Sequence, residues 1–220
     1  SATKDATLKV TKLTQAETEK KRGEEHLPYI SGYDDGSFKP DLPITRAETA
    51  RLMVNVLDLK YISEDSDLTD ISDRDWFYDD VVLMQSKSIL TGYEDGTFRP
   101  DNNITRAEFC VVVSRALGVS GASGKSKLSD VTNHWAAPYI NALVKKKVIT
   151  GYTDNSFKPD ASITRAEAVK IINALLGRTP NSDKVAEAGG NNNFYDLKKK
   201  HWAYYEILEA SEKHYKNDWH

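Results

Sequence analysis

Apolar residues recur at helical spacing in two kinds of segment along this chain. Segments of the first kind start at a tryptophan, as in the series Trp135, Tyr139, Leu143 and Val148. Segments of the second kind follow the string Thr-Arg-Ala-Glu and place alanine, methionine, valine and leucine on one face. Each pattern predicts an amphipathic helix. The tryptophans that start segments of the first kind are Trp76, Trp135 and Trp202.

The string Thr-Arg-Ala-Glu has the form of a capping box, in which the threonine hydroxyl accepts from the third helical N–H. The glutamate side chain reaches back to the N–H of the cap residue. This pattern predicts three helix starts, with Thr45 and Glu48, Thr105 and Glu108, and Thr164 and Glu167 as the paired residues. Because capping accounts for these glutamates, we predict no acid–base catalysis by them.

A loop of the form Gly-Tyr-x-Asp-Gly-x-Phe-x-Pro-Asp connects the two predicted helices at 32–41, 92–101 and 151–160. Its Asp-Gly pair predicts a turn, and Asn155 is expected to keep that turn where it replaces the glycine. A calcium loop of the EF-hand type would need oxygen ligands at positions 1, 3 and 5. Counted from Asp34, positions 3 and 5 are Gly36 and Phe38, so we interpret the loop as structural.

The same elements return three times along the chain. The capping threonines lie at 45, 105 and 164, so the steps are 105 − 45 = 60 and 164 − 105 = 59 residues. Complete units span 68–118 and 128–177, but 26–60 holds only a back half and 194–220 only a front half. We therefore predict an all-α domain over 26–220. Three helix–loop–helix units close on one another, and the C-terminal helix completes the first unit.

Composition excludes several classes of protein. The chain has 220 residues and a formal net charge of −3, which argues against general nucleic-acid binding. No apolar run approaches the roughly 18 residues of a membrane span. The single cysteine, Cys110, excludes an intramolecular disulfide and predicts a buried, inert thiol. Residues 1–25 resemble a linker or the tail of a preceding domain, so we expect the chain to be part of a larger protein.

Neither a metal site nor a cofactor is predicted from the spacing of metal-ligand residues. The histidines show neither His-x-x-x-His nor His-Glu-x-x-His spacing, which are the helical arrangements that bind zinc. They lie at positions 26, 134, 201, 214 and 220.

The arginine behind each predicted cap is unexpected, because a helix N-terminus carries partial positive charge. These residues are Arg46, Arg106 and Arg165. One interpretation is a site for a carboxylate or phosphate, bound by the free helix N–H groups and the guanidinium together. The other is structural, with each arginine packing on a tyrosine or pairing with the loop aspartates.

The repeated aromatic residues also have two interpretations. The three tryptophans either pack in the core or between units, or they stack on a sugar at unit boundaries. The loop tyrosines leave the same choice open. Those tyrosines are Tyr33, Tyr93 and Tyr152.

Taken together, the Asp-Val…His-Trp-Ala, Gly-Tyr-x-Asp-Gly-x-Phe-x-Pro and Ile-Thr-Arg-Ala-Glu strings closely resemble the S-layer homology domain over about residues 26–219. The resemblance implies a pseudo-threefold α-helical spindle with grooves between neighbouring units. It also implies non-covalent anchoring of a surface protein to secondary cell-wall polysaccharide, often through a pyruvylated sugar. In that family the motif arginine is associated with recognition of the anionic sugar, which implies a binding role for Arg46, Arg106 and Arg165.

From this resemblance we expect a monomeric, non-enzymatic, extracellular module at the cell surface of a Gram-positive-type bacterium. The three motif arginines, the three repeated tryptophans and the three loop tyrosines would bind the glycan. The alternative is a protein-interaction or structural module with the same fold and no glycan binding. We do not expect three equivalent sites, because Arg74-Asp75-Trp76 stands where the third unit has His134-Trp135.

Overall fold

The computed structural model describes residues 22–60, 65–122, 124 and 126–220, so most of the predicted tail 1–25 lies outside the described residues. Over these ranges the chain forms eight helices and one pair of two-residue strands, which confirms the all-α class. In chain order the elements are β1 (Glu25–His26), α1 (Arg46–Val56), α2 (Tyr78–Ser86), α3 (Arg106–Ala116), α4 (Ala137–Lys145), α5 (Arg165–Leu176), α6 (Ser182–Glu187), α7 (Tyr204–Ser211), β2 (His214–Tyr215) and α8 (Lys216–Trp219). None of the helices described is long and apolar enough to cross a membrane.

All three predicted capping boxes are present. The hydroxyls of Thr45, Thr105 and Thr164 accept from the N–H three residues later, at 3.1, 3.1 and 3.2 Å. The paired glutamates accept from the cap N–H groups at 3.0, 2.8 and 3.0 Å. Each cap of this kind typically contributes about 1 kcal/mol, so α1, α3 and α5 have defined starts.

The helices that follow the tryptophans begin later than predicted. Helices α2, α4 and α7 start two residues after Trp76, Trp135 and Trp202, and no side chain caps them. The residue that directly follows each tryptophan is buried, whereas the indole itself is not. The expectation that these tryptophans form the first helical residues is therefore wrong, because the chain is still in a turn there.

The loop turns form as predicted. Gly36, Gly96 and Asn155 adopt φ values of 78°, 79° and 60°, so asparagine does replace glycine in the left-handed position. The carboxylate of Asp35 accepts from the backbone N–H of Ser37 at 2.9 Å, which holds the first turn. Hydrogen bonds from Ser37 lower the pKa of Asp35 to about 2.

A ring of three backbone hydrogen bonds lies at the centre of the three units. The N–H of Ile44 donates to the carbonyl of Ile163 at 3.0 Å, that of Ile163 to Ile104 at 3.1 Å, and that of Ile104 to Ile44 at 3.1 Å. All three isoleucines are fully buried. Since each unit donates to one neighbour and accepts from the other, the units close around a pseudo-threefold axis, as expected.

The front half of each unit is joined to its loop by one aspartate. Asp70 accepts from Phe98 and Arg99 N–H at 2.7 Å each, and Asp130 accepts from Phe157 and Lys158 at 2.8 Å each. Asp196 makes the same pair of bonds, to Phe38 at 2.8 Å and Lys39 at 2.7 Å, across nearly the whole chain. The C-terminal segment therefore completes the first unit.

The helices pair across the sequence units rather than within them. Helix α2 packs against α1, α4 against α3, and α7 against α5. Each front helix thus packs on the back helix of the preceding copy, and α7 closes the ring against the third copy. Strands β1 and β2 pair antiparallel, with Glu25 opposite Tyr215 and His26 opposite His214, so the two ends of the described chain meet.

One hydrophobic core runs through all three units. The three loop phenylalanines are fully buried in it, at positions 38, 98 and 157. Cys110 lies in the same core, which confirms the predicted burial of its thiol. Burial raises the pKa of this thiol to about 12, so it stays protonated and unreactive at neutral pH.

We predict that Asp196→Asn lowers the free energy of unfolding by about 1–3 kcal/mol, because a neutral amide can replace only one of two charge-assisted hydrogen bonds. Urea denaturation of the purified chain measures the change. Asp73→Asn is the matched control, since Asp73 is exposed in the loop before α2. An Asp196→Asn protein as stable as the wild type would show that the C-terminal segment does not hold the first unit together.

Candidate functional site

Each motif arginine reaches out of its own unit into the loop of the next one. Its Nε donates to the backbone carbonyl of the buried loop phenylalanine there. The pairs are Arg46 to Phe98 at 2.7 Å, Arg106 to Phe157 at 2.8 Å and Arg165 to Phe38 at 2.9 Å. A second nitrogen of Arg46 and of Arg165 donates to the carbonyls of Thr91 and Ser31, at 2.8 Å each. The arginines therefore join the units.

The arginine side chains are buried against aromatic rings. The guanidinium carbons of Arg46, Arg106 and Arg165 lie 4.6, 5.0 and 4.6 Å from the centres of the Tyr93, Tyr152 and Tyr33 rings. Whole-residue exposure is only 3, 6 and 4%. Burial lowers the pKa of Arg46, although the nearby Tyr93 and Glu108 oppose that effect. This arrangement matches the structural interpretation of packing on a tyrosine.

Two of these arginines have capping glutamates as acidic partners, and not the loop aspartates that the structural interpretation offered. Arg106 Nη1 donates to Glu167 Oε1 at 2.7 Å, and Arg165 Nη1 lies 3.7 Å from Glu48 Oε1. Because each glutamate also caps its own helix, one carboxylate serves two units. The capping role predicted from sequence is confirmed, and a second role is added to it.

The helix N–H groups that the anion-site hypothesis required are already used. The first N–H of each capped helix donates to a carbonyl of the neighbouring loop, from Arg46 to Asn102, Arg106 to Ala161 and Arg165 to Leu42, at 2.9 Å each. The second donates to the loop proline carbonyl, from Ala47, Ala107 and Ala166 at 2.9–3.0 Å, and the third to the capping threonine. Anion binding by these helix amides was therefore a wrong expectation.

The three repeated tryptophans are exposed. Trp76, Trp135 and Trp202 expose 56, 61 and 55% of their surface, although large aromatic residues are mostly buried in globular domains. The core-packing interpretation is therefore wrong for these rings. Arg51 lies 5.1 Å from the centre of the Trp76 ring, and Lys170 lies 5.4 Å from that of Trp202. Cationic groups beside an exposed indole favour a ligand-contact surface.

The loop tyrosines are partly exposed, and the hydroxyls of two of them form hydrogen bonds with glutamates. The hydroxyl of Tyr33 donates to Glu48 Oε1 at 2.7 Å, and that of Tyr152 donates to Glu167 Oε1 at 3.0 Å. Burial, helped by the hydrogen bond to Glu48, raises the pKa of Tyr33 to about 12. The Tyr33 ring therefore stays neutral at neutral pH, with its hydroxyl held by Glu48.

One groove brings together a member of each predicted residue type. Arg106, Tyr152 and Trp202 line a cavity of about 630 Å³ between the loop and helix α5 of the third unit and helix α7. We call this cavity the third groove. The six other predicted residues lie at the equivalent positions between the other pairs of units, with Arg46 beside Tyr93 and Arg165 beside Tyr33.

The third groove carries exposed positive charge on its wall. Arg106 is paired with Glu167, and Arg178 donates to the carbonyl of Leu27 at 3.2 Å. Lys147 and Lys170 also line the groove, and both are exposed. The lining also includes the carboxylates of Asp41, Glu167 and Glu206, so the wall carries both signs of charge, with Lys147 and Lys170 as its exposed lysines.

The equivalent positions in the other grooves differ. Five residues after the motif arginine stand Arg51, Val111 and Lys170 in the three copies. Arg51 forms an ion pair with Asp80 and Val111 is buried, whereas Lys170 is exposed. Sequence analysis missed Lys170, although a comparison of the three copies at this position was an available signal.

The residue before each tryptophan also breaks the symmetry. His134 lies 3.1 Å from Asp160 and His201 lies 3.2 Å from Asp41. In the second unit the residue is Asp75, which instead accepts from the backbone N–H of Ser72 at 2.8 Å. The second unit therefore has an acid where the other two have a histidine.

The family model described as the S-layer homology domain matches residues 29–50, 67–110 and 127–169. The chain is 40% identical over 195 residues to a cellulosome-anchoring protein of Acetivibrio thermocellus, covering 84% of this chain and 42% of that protein. It is 38% identical over 206 residues to cell surface glycoprotein 1 of the same organism, covering 87% and 9%. An amylopullulanase of Thermoanaerobacterium thermosulfurigenes is 27% identical over 164 residues, covering 69% and 8%. The chain thus spans less than half the length of these relatives.

We predict that Arg106→Lys lowers the free energy of unfolding by about 1–3 kcal/mol. A lysine keeps the charge but cannot bond Phe157 and Glu167 at once through a rigid fork. Urea denaturation again provides the measurement, and Arg74→Lys, at an exposed position before Trp76, is the control. Equal stability of the two variants would contradict a structural role for the motif arginine.

Proposed function

Because the chain belongs to the S-layer homology family, we propose that it anchors a larger protein to the bacterial cell wall by binding an anionic secondary cell-wall polysaccharide. Its relatives include anchoring and cell-surface proteins, and this chain is likewise a cell-surface module. The relatives are longer than the part that aligns, which is consistent with a module carried by a larger protein.

The observation that carries the proposal is the third groove. It places the exposed indole of Trp202 within 5.4 Å of the ammonium group of Lys170. The apolar C–H face of a pyranose ring fits an exposed aromatic face. A carboxylate on the same sugar, such as that of a pyruvyl ketal, would then lie within reach of the lysine.

The motif arginine contributes in two ways in this proposal. Its main effect is to hold the loop of the next unit in place, through the bond of Arg106 to Phe157. Because Arg106 also lines the third groove, its charge adds to that of Lys147 and Lys170 at the ligand. Removing the arginine would disturb the fold and the ligand together, so arginine variants cannot isolate binding.

A non-catalytic role agrees with the relatives and with the glutamates. Enzymes among the relatives match over a small share of their length, 8% for the amylopullulanase. A surface-layer 125 kDa protein of Lysinibacillus sphaericus is 28% identical over 164 residues, so a match of this length is found both in an enzyme and in a surface-layer protein. The motif glutamates cap their helices, and in addition Glu48 accepts from Tyr33 and Glu167 accepts from Arg106.

A single groove of this kind would bind weakly, and retention on a polymer would come from multivalency. Once one site is bound, neighbouring sugars are presented at high effective concentration. The three grooves need not bind equally for this to work.

We predict that Trp202→Ala weakens binding to purified pyruvylated wall polysaccharide by roughly tenfold, which corresponds to about 1.4 kcal/mol of lost stacking. Trp135→Ala is the matched control, because this indole is similarly exposed but the position equivalent to Lys170 in its groove is Val111. Isothermal titration calorimetry on short polysaccharide fragments measures both affinities, and a smaller effect of Trp135→Ala is expected. Equal effects of the two variants would contradict the choice of the third groove.

We further predict that Lys170→Met weakens binding several-fold on the native polymer but not on polymer from which the pyruvate has been removed by mild acid. The reason is that only the carboxylate interacts with the ammonium group. The same calorimetric titration compares the wild type and Lys170→Met, each on the native polymer and on the polymer without pyruvate. A Lys170→Met effect that persists without pyruvate would reject the charge contact.

Failure of the wild type to bind any native wall glycan, together with binding to a defined protein, would favour an interaction module.

A further inference from the structure

Three histidines and one glutamate meet where the two ends of the described chain come together. His26 lies on β1, Glu209 on α7, His214 on β2, and His220 directly after α8. One ligand atom from each residue lies within 4.8 Å of all the others. Glu209 is fully buried, and His26 and His214 are almost so. Sequence spacing did not indicate this cluster, because His26 is far from the other three residues in the chain.

The contacts within this cluster are short. Glu209 Oε1 lies 2.8 Å from His26 Nδ1, and Glu209 Oε2 lies 2.9 Å from His214 Nε2 and 3.0 Å from His220 Nε2. His26 Nδ1 also lies 3.2 Å from His214 Nε2. The carboxylate therefore faces three imidazole nitrogens, and two of those nitrogens also face each other.

The orientation of His214 determines which of its nitrogens carries a proton. Its Nδ1 lies 2.9 Å from the backbone carbonyl of Glu212, which can only accept, so Nδ1 carries hydrogen. In a neutral ring the lone pair is then on Nε2 and points at Glu209 and His26. Hydrogen bonds alone would need a second proton on this buried ring. A cation between the four ligand atoms accepts all their lone pairs at once.

We propose that His26, Glu209, His214 and His220 bind a divalent transition-metal ion of the zinc type. Three imidazole nitrogens and one carboxylate oxygen are ligands that zinc accepts. Ligand atoms at 2.0–2.1 Å from a tetrahedral zinc ion stand roughly 3.3 Å apart. The four short contacts, from 2.8 to 3.2 Å, involve both oxygens of Glu209 and would expand slightly to reach that value. The remaining pairs of ligand atoms lie within 4.8 Å of one another, and the widest of them would move closer around the ion.

The surroundings resemble those of a structural metal site. A ligating histidine usually donates its second N–H to a carbonyl or carboxylate, as His214 does to Glu212. The His214 ring also stacks on Trp219, with ring centres 3.9 Å apart and an interplanar angle of 8°. Arg178 Nε approaches Glu209 Oε1 from outside at 4.0 Å. With four protein ligands the site is closed, which indicates a structural rather than a catalytic ion.

The ion would fasten the N-terminal strand to the C-terminal segment. Ring closure in this fold depends on the C-terminal half-unit, because Asp196 bonds the first loop. The four ligands come from both ends of the described chain, so a bound ion stabilises the closed form over the open chain. This role is separate from binding in the third groove.

The test uses the untagged chain, stripped with a chelator and then titrated with Zn²⁺ in the absence of polysaccharide. Calorimetry and elemental analysis should give one ion per chain. At a free Zn²⁺ concentration of about 100 times Kd, the melting temperature should rise by roughly 5–10 °C. The proposal would be overturned if the chain bound no zinc at about 100 µM and melted at the same temperature with and without zinc. The cluster would then be held by hydrogen bonds alone.

Variants separate metal binding from a merely structural histidine. His214→Gln keeps a hydrogen-bonding amide but removes the imidazole ligand, so zinc affinity should fall at least tenfold and the thermal shift should be lost. His134→Gln, outside the cluster, should retain both. Visible absorption of the Co²⁺-loaded chain gives a direct readout of tetrahedral coordination and should disappear in His214→Gln. Unchanged affinity and spectrum in that variant would also reject the site.

Discussion

The ring of backbone hydrogen bonds through Ile44, Ile104 and Ile163 is the constraint on which the rest of the structure depends. Each isoleucine donates to one neighbour and accepts from the other. No unit can therefore provide hydrogen-bond partners for its own central backbone groups. Buried backbone groups without partners are costly. All three units must therefore be present, and the half-unit missing at one end of the described chain must be supplied from the other.

The same junction determines what the motif arginine does. The first N–H groups of each capped helix donate to the neighbouring loop, so they are not available to an outside anion. The guanidinium enters the junction as well, between a carbonyl and an aromatic ring, as in Arg46 with Phe98 and Tyr93. Under the proposed function, contacts with a ligand are therefore made by exposed side chains such as Trp202 and Lys170.

The three junctions are alike at the positions that bond the ring together and different at positions that do not. Threonine, arginine and glutamate occur in every copy because each makes bonds that the ring requires. Positions 51, 111 and 170 make no such bond to the ring, and they hold arginine, valine and lysine, respectively. The grooves can therefore diverge in charge while the scaffold stays the same. The histidine cluster at the chain ends is a further departure from symmetry, since the other two units do not repeat its residues.

The sequence by itself determined the repeat, the capped helices, the loop turns and the closure of the first unit by the C-terminal segment. These features depend on contacts between residues close in the chain, or on the repetition of one pattern. It did not determine the start of the tryptophan helices, because Trp76, Trp135 and Trp202 follow helical spacing while still in a turn. Nor could the sequence separate an anion-binding role of the motif arginine from a structural role, since both need the same residue. Only the tertiary structure decided that the helix amides are occupied, that the tryptophans are exposed, and that His26 meets Glu209. Each of these results from packing between distant segments, and no local pattern encodes it.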